Sequence, residues 1–259
     1  MKKLRPAVLA IALVLSVTHS SFATTWAPAE IVCPVCKHKN TFMQIMSFGS
    51  YIYHWPEKFQ YIYWPLTASQ VLYSCSNCHY TAFMFDFSDT KPEKLAQIKE
   101  MLAQETFKGK YEKYTDIPMT QRLAIAEKVY KIIGEDDDWW CRFERVRGYH
   151  FAAEKNETEA TEARKRALSL AEKMLQSKPK SPSEKELYLI IGGMKYFLKD
   201  REGALKDLEH GLSLKFTAPP DLEKEKAENF DQYLSGVLKE FITAIRNGEK
   251  EKIEPLRAD

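Results

Sequence analysis

The sequence lacks a large net charge of either sign. It carries 38 basic and 36 acidic side chains in 259 residues. Three of the basic side chains, Lys2, Lys3 and Arg5, lie in a segment that we expect to be removed, which leaves 35 basic and 36 acidic ones. Proteins that bind nucleic acids gain affinity by neutralising phosphates with a basic surface. The composition therefore predicts no nucleic-acid partner.

Long hydrophobic runs are also scarce. The apolar run Ala7–Leu15 is shorter than the about 20 residues of a membrane-spanning helix. Basic residues precede this run, and Ser21-Phe22-Ala23 places small residues where a signal peptidase cuts. The sequence therefore predicts an export signal over residues 1–23, no membrane span after its removal and a periplasmic location. A retained N-terminal anchor is the alternative.

The motifs of several enzyme classes are missing. The sequence contains no glycine-rich phosphate loop, no Ser/His/Asp order and no His-Glu-x-x-His helix. These absences favour a noncatalytic role, and an enzyme of unknown reaction is the third-ranked interpretation. We therefore predict no catalytic residue.

Cysteine is rare, but four of the five cysteines form two Cys-x-x-Cys pairs. These are Cys33, Cys36, Cys75 and Cys78. Two such turns can surround Zn²⁺ with four thiolates, and a four-Cys site has no open coordination position. We therefore expect a structural zinc site that contributes folding energy to a small domain. Lys37, Lys39 and His38 are candidates to offset its negative charge.

Two other uses of these cysteines need consideration. In an oxidising compartment each pair can close as a disulfide, but thioredoxin-like catalysis requires one pair to open a helix in a βαβ unit, and neither does. Cys75-Ser76-Asn77-Cys78-His79 also satisfies Cys-x-x-Cys-His, the attachment sequence of covalent c-type haem. His79 would then bind the iron, and the protein would be an electron carrier. This alternative leaves the first cysteine pair without a role, so zinc is favoured.

Aromatic residues are concentrated between the two cysteine pairs. The candidates for a binding face are Tyr51, Tyr53, Trp55, Tyr61, Tyr63 and Trp64. Such rings can form an exposed interaction surface, or they can fill the contact between the N-terminal region and the helices that follow. We favour the second use, because interdomain cores use the same residue types.

The pattern of residues predicts an α+β, mostly α protein. A small zinc-ribbon-like β domain with an aromatic insert is expected over residues 24–89, a connecting helix and linker over 90–116, and antiparallel helix pairs over 117–259. The predicted strands are Thr41–Met46, Tyr51–Trp55, Tyr61–Trp64 and Val71–Ser74. Pro92 suits the first turn of the connecting helix, which Ser88-Asp89-Thr90 can cap. The later helices are predicted at 120–133, 137–155, 157–176, 183–198, 201–214 and 221–247.

One helix pair resembles a tetratricopeptide repeat. The matching positions are Tyr188, Ile191, Gly192, Ala204, Leu208 and Gly211. Small residues at 192, 204 and 211 let two helices approach closely. The resemblance implies stacked helix pairs with a concave surface for a peptide or protein partner. An ordinary helical bundle is the alternative.

The stretch around the second cysteine pair is similar to a wider family. Residues 75–87 resemble the element Cys-x-x-Cys-Gly-Tyr-x-Ala-Phe-x-x-Asp-Phe of an uncharacterised bacterial family that joins a four-Cys zinc ribbon to tetratricopeptide-like helices. His79 stands where that element has Gly. The resemblance implies the architecture and no particular activity. The sequence as a whole thus predicts an exported, noncatalytic protein-binding or scaffold module with a structural zinc site.

Overall fold

The computed structural model describes residues 25–47, 59–107, 109, 111–177, 181–218 and 222–248. The predicted export signal, the predicted strand Tyr51–Trp55 and the aromatic candidates Tyr51, Tyr53 and Trp55 lie outside these residues. Within them, two small antiparallel sheets precede seven α-helices, so the predicted mostly helical α+β class is confirmed. The seven helices of the described residues lack the length of apolar sequence that spanning a lipid bilayer requires.

Two β-hairpins form the N-terminal region. The first pairs β1 (Thr25–Val32) with β2 (Lys39–Ser47), and the second pairs β3 (Leu72–Ser74) with β4 (Thr81–Phe83). In each hairpin the loop that closes it contains one Cys-x-x-Cys pair, because the strands end at Val32 and Ser74. The cysteines therefore lie at the tips of two separate hairpins.

The helices follow the predicted order closely. They are α1 (Pro92–Ala103), α2 (Met119–Ile133), α3 (Asp137–Ala153), α4 (Glu157–Ser177), α5 (Glu184–Phe197), α6 (Arg201–Ser213) and α7 (Lys224–Arg246). Local capping explains several of their starts. The side chain of Asp136 accepts a hydrogen bond from the backbone N–H of Trp139 at 2.8 Å. Ser183 and Glu186 form a reciprocal capping box at the start of α5.

The start of α1 differs from the prediction. Its N-cap is Lys91, without a capping side chain, and Pro92 occupies the first turn as expected. The hydroxyl of Thr90, which we expected to help to cap the helix, lies 2.6 Å from the Tyr80 hydroxyl instead. Tyr80 is fully buried, so a buried partner outcompetes the local cap.

Two large hydrophobic cores run through the described residues, and a small third cluster joins Phe151 and Ala152 to Ala160 and Ala163. The first joins both hairpins to α1, α2 and α3, and its members include Phe42, Tyr73, Leu123 and Phe143. The second joins α4 to α7 with two residues from the region between the hairpins, Phe59 and Tyr61. The domain boundaries predicted from the sequence lie at residues 89–90 and 116–117. The first core contains residues from both sides of each boundary. The hairpins and the first helices consequently share one interior.

The predicted strand Tyr61–Trp64 is wrong. Residues 59–66, here called the strap, have no sheet partner among the described residues and cross the helices instead. Arg145 of α3 donates from Nη1 to the carbonyls of Gln60 and Tyr61, and His150 donates from Nε2 to the carbonyl of Leu66 at 2.9 Å. Helix side chains thus satisfy backbone groups that a sheet would otherwise pair.

Glycines let the strap and the helices approach one another. A Cβ atom at Gly193 of α5 would lie 2.2 Å from the carbonyl oxygen of Phe59. At Gly192 a Cβ would lie 2.5 Å from Cγ of Leu208 in α6. The close packing predicted for the 192 position is therefore present in the α5–α6 pair.

Candidate metal centre

The four paired cysteines meet at one point between the hairpins. Their sulfur atoms all lie within 4.8 Å of one another. The Sγ atoms of Cys33 and Cys78 are 3.6 Å apart, as are those of Cys36 and Cys75. Four sulfurs placed about 2.3 Å from one ion at tetrahedral angles are separated by about 3.8 Å. The cluster therefore fits a tetrahedral metal ion.

Backbone hydrogen bonds shape the first cysteine loop. The N–H of Cys33 donates to the carbonyl of His38, and the N–H of Lys37 donates to the carbonyl of Cys33, both at 2.9 Å. Lys37 has a φ of 63°, in the left-handed region that non-glycine residues adopt at a cost of about 1 kcal/mol. This turn directs both sulfurs of the loop to the same side.

The second loop repeats this geometry. The N–H of Cys75 donates to the carbonyl of Tyr80, and the N–H of His79 donates to the carbonyl of Cys75, again both at 2.9 Å. His79 has a φ of 58°, so it makes the turn for which the family element uses Gly. Its ring stacks on Phe107 with centroids 3.8 Å apart and an interplanar angle of 20°. His79 therefore occupies the position equivalent to Lys37.

Asn40 is a contributor that the sequence analysis missed. It is buried, and its Nδ2 lies 3.6 Å from Sγ of Cys75 and 3.1 Å from the carbonyl of His38. Its Oδ1 accepts hydrogen bonds from the backbone and the hydroxyl of Ser76, at 2.9 and 3.2 Å. One side chain of β2 thus connects both cysteine loops. The signal in the sequence is the inward alternation of Asn40 and Phe42 along β2.

Lys39 has a different partner from the one expected. Its Nζ lies 3.4 Å from a carboxylate oxygen of Glu30 on β1, and both side chains are mostly exposed. The pair is formed across the first hairpin, since residues 30 and 39 come from neighbouring strands. Among the contacts described, the side-chain amide of Asn40, and not the ammonium group of Lys39, donates toward a sulfur of the cluster.

Hydrogen bonds between sulfurs polarise the cluster. Donation from Cys33, followed by donation from Cys78, lowers the pKa of Cys75, while burial opposes this shift. The hydrogen bond to Cys75 is the main cause that raises the pKa of Cys33 to about 12. The hydrogen bonds to Cys33 and then Cys75 also raise the pKa of Cys78. Burial also disfavours the thiolate forms of Cys33 and Cys78, and a bound thiophilic cation would supply the compensating charge.

The cluster is enclosed unevenly. Cys33 and Cys75 are fully buried, whereas Cys36 and Cys78 are half-buried. All five cysteines of the chain are free thiols. A metal such as Zn²⁺ would find four donors here and no place for a substrate, which is the donor set of a structural site. A metal ion bound by the four sulfurs would hold the two hairpin tips together.

The described part of the aromatic insert packs inside the protein. Tyr61 and Trp64 are buried, and Tyr63 is half-buried. The Tyr61 hydroxyl donates to Glu186 at 3.1 Å, and the Tyr63 hydroxyl lies 2.7 Å from that of Tyr233. Tyr61 and Tyr63 therefore bind the strap to α5 and α7, whereas Trp64 packs against Trp26 of β1 with ring centroids 5.7 Å apart.

Residues outside the cluster add no second metal site to the described part of the chain. Cys141 is buried, and its thiol donates to the carbonyl of Ala167 at 3.4 Å. Burial raises the pKa of this thiol, so it remains protonated. Cys141 is therefore a buried structural thiol of α3.

The comparisons with known proteins give a family but no characterised relative. Neither a curated protein nor a solved structure matches this chain. A family model described as "uncharacterized protein conserved in bacteria (DUF2225)" matches residues 27–234, which include both hairpins and extend into α7. The match covers most of the chain, so this protein belongs to that uncharacterised bacterial family.

Proposed function

We propose that the protein is an exported, noncatalytic binding or scaffold module whose N-terminal region is held together by structural zinc. The observation that carries the proposal is the cluster of four sulfurs within 4.8 Å, contributed equally by two hairpin tips. All-cysteine tetrahedral sets favour zinc or iron–sulfur centres, and structural zinc sites have no vacant position. Zn²⁺ would be held by Cys33, Cys36, Cys75 and Cys78.

The paired hairpins support a zinc-ribbon-like assignment for the N-terminal region. Each cysteine loop connects two short antiparallel strands, and the loops repeat the same two backbone hydrogen bonds. Small sheets of this kind need additional stabilisation, which a bound metal supplies. The metal would hold the two tips together where the strands are only three residues long in the second hairpin.

The helix pairs support the tetratricopeptide-like assignment and a binding role. Helices α3 and α4 form one antiparallel pair, and α5 and α6 form the next. In the second pair Gly192 accommodates Leu208, and Gly211 accommodates Tyr188. Stacked helix pairs provide an extended surface for a peptide or protein partner. We assign the partner-binding role to this surface.

The c-type haem alternative predicts different contacts for the second loop. Attachment of haem would use the sulfurs of Cys75 and Cys78, which here lie 3.6 Å from sulfurs of the other pair. The imidazole of His79, the candidate iron ligand, stacks on Phe107. Both contacts favour the zinc proposal over an electron carrier.

Metal analysis and an absorption spectrum of the protein isolated from the periplasmic fraction test the proposal. We expect about one zinc per chain and no Soret band. Cys75→Ser should lose the zinc, whereas Cys141→Ser, which replaces a buried thiol outside the cluster, should keep it. A covalent haem band that disappears in Cys75→Ala would overturn the zinc proposal. Retention of the full-length chain in the cytoplasmic fraction would overturn export.

A further inference from the structure

An apolar cavity lies between the second hairpin, the strap and α3. It has a volume of about 490 Å³, within the range of about 300–1,000 Å³ typical of ligand sites. Its walls include Trp64, Phe83, Trp139 and Phe143. Phe83 and Phe143 belong to the first hydrophobic core, so the walls are built on packed elements. Aromatic walls of this kind suit large apolar side chains.

A second apolar cavity adjoins the first. Its volume is about 530 Å³, and it is lined by residues of both hairpins, among them Ile31, Ile45 and Met84. Pro65 and Phe85 line both cavities and therefore form the ridge between them. Phe85 is 60% exposed, although a large apolar ring exposed to solvent is unfavourable. The two cavities and this ridge are together called the aromatic groove.

One end of the aromatic groove carries negative charge. The acidic residues Asp86 and Glu135 line the first cavity. The exposed Arg142 is the basic residue in the same lining. The Tyr130 hydroxyl donates to Asp86 at 2.6 Å and fixes its carboxylate in place. Burial, followed by the charges of Asp86 and Asp136, raises the pKa of Glu135. Arg142 therefore does not offset all of the negative charge at this end of the groove.

The negative end continues into a third cavity of about 370 Å³. Asp86 and Glu135 line this cavity too, together with two further carboxylates and two lysines: Asp89, Glu93, Lys91 and Lys94. Acidic groups thus outnumber basic ones four to two. The order along the surface is the second cavity, the ridge at Pro65 and Phe85, the first cavity and the acidic end.

We propose that the aromatic groove binds an extended peptide that places two apolar side chains in the two cavities, followed by basic residues at the acidic end. Charge complementarity selects this occupant, because an acidic continuation would meet Asp86 and Glu135. The ridge at Phe85 separates two side-chain positions, which a single compact ligand would not use. This inference rests on the proposed binding function and places one interface at the junction of hairpin and helices.

The test uses the full-length, zinc-loaded protein and three synthetic peptides. The probes are acetyl-Phe-Ser-Leu-Lys-Lys-amide, its acidic counterpart acetyl-Phe-Ser-Leu-Glu-Glu-amide and the polar acetyl-Ser-Ser-Ser-Lys-Lys-amide. Binding is followed by tryptophan fluorescence, since Trp64 and Trp139 line the first cavity. We expect saturable binding of the first peptide below about 1 mM, and binding at least about tenfold weaker for the other two.

Two variants and a matched control locate the binding site. Phe85→Ser should weaken binding of the first peptide about tenfold, and Glu135→Gln should reduce the preference for the basic over the acidic peptide about threefold. Met46→Ser, which changes another exposed apolar side chain outside the groove, should leave the affinity within about twofold.

Three results would overturn the aromatic groove as a peptide site. These are no saturable binding up to about 5 mM, equal binding of the basic and acidic peptides, or unchanged affinity in Phe85→Ser. The zinc content of each preparation is measured alongside. Loss of peptide binding with zinc retained refutes the groove alone, whereas absence of zinc from the wild-type protein refutes the proposed function.

Discussion

The side-chain amide of Asn40 contacts Cys75 of the second cysteine loop and the His38 carbonyl of the first. Its Nδ2 is 3.6 Å from the Cys75 sulfur, and its Oδ1 accepts the backbone N–H of Ser76 at 2.9 Å. An amide that donates to a thiolate orients the ligand and reduces the cost of its charge. Asn40 is therefore a positioning residue for the metal centre, although it offers no ligand atom of its own to the cluster.

Substitution of Asn40 should weaken zinc binding. We expect Asn40→Ala to lower zinc affinity about 10- to 100-fold, as is usual when a hydrogen-bond partner of a ligand is removed. Competition with a chromophoric chelator measures this change. The neighbouring Lys39→Ala serves as the control, because Lys39 pairs with Glu30 at the surface. Equal losses in the two variants would show that Asn40 has no specific role.

Gly193→Ala should destabilise the protein. Alanine favours a helix over glycine by about 1 kcal/mol, so a purely local effect would stabilise α5. The new Cβ would instead lie 2.2 Å from the Phe59 carbonyl oxygen, and the resulting displacement should lower the free energy of unfolding by about 1–3 kcal/mol. Urea denaturation distinguishes the two signs. A stabilised variant would mean that the strap does not pack against Gly193.

Tyr130→Phe should weaken the contact between β4 and α2. The Tyr130 hydroxyl accepts the backbone N–H of Phe83 at 2.9 Å and donates to Asp86 at 2.6 Å. Its removal leaves a buried N–H without this partner, at a cost of about 1–3 kcal/mol. Tyr188→Phe, on the half-buried face of α5, is the control and should change stability by less than about 0.5 kcal/mol. Similar unfolding midpoints for both variants would contradict the prediction.

His150 should make stability depend on pH. Burial lowers the pKa of His150 to about 4, although the hydrogen bond to the Leu66 carbonyl opposes this shift. The unfolded chain binds this proton near pH 6.5, so the unfolded state binds more protons between pH 6.5 and 4. The folded state should lose up to about 3 kcal/mol as the pH falls through this window.

The variant His150→Gln isolates this effect. Glutamine can donate to the Leu66 carbonyl but does not titrate, so its free energy of unfolding should fall less between pH 7 and 4.5. Chemical denaturation of both proteins at each pH, with the metal content matched, gives the difference. Parallel pH profiles would show that His150 does not contribute to the dependence.

Local sequence signals predicted the helices well. The starts and ends of α2 to α6 lie within about two residues of the predicted bounds, since apolar spacing and caps such as Asp136 act within a few residues. The four cysteines were likewise predicted from spacing alone, and the structure brings them together. Export and the identity of the metal remain predictions.

The strap was mispredicted for a physical reason. Tyr61–Trp64 has the alternating aromatic pattern of a strand, but no strand lies beside it in the described residues. Arg145, 84 residues later in the chain, satisfies the carbonyl of Tyr61 instead. The role of Asn40 escaped prediction in the same way, because its contact with Cys75 spans 35 residues.

Neighbouring residues and composition are sufficient to predict which segments become helices, which turns contain paired thiols and how small the net charge is, because these properties are local or additive. Long-range packing was needed to establish that Asn40 donates to Cys75, that the strap lies across α3 and α5, and that Phe85 separates two cavities. These relationships join residues far apart in the chain. Which polar and apolar groups become partners there depends on the packing of the whole protein.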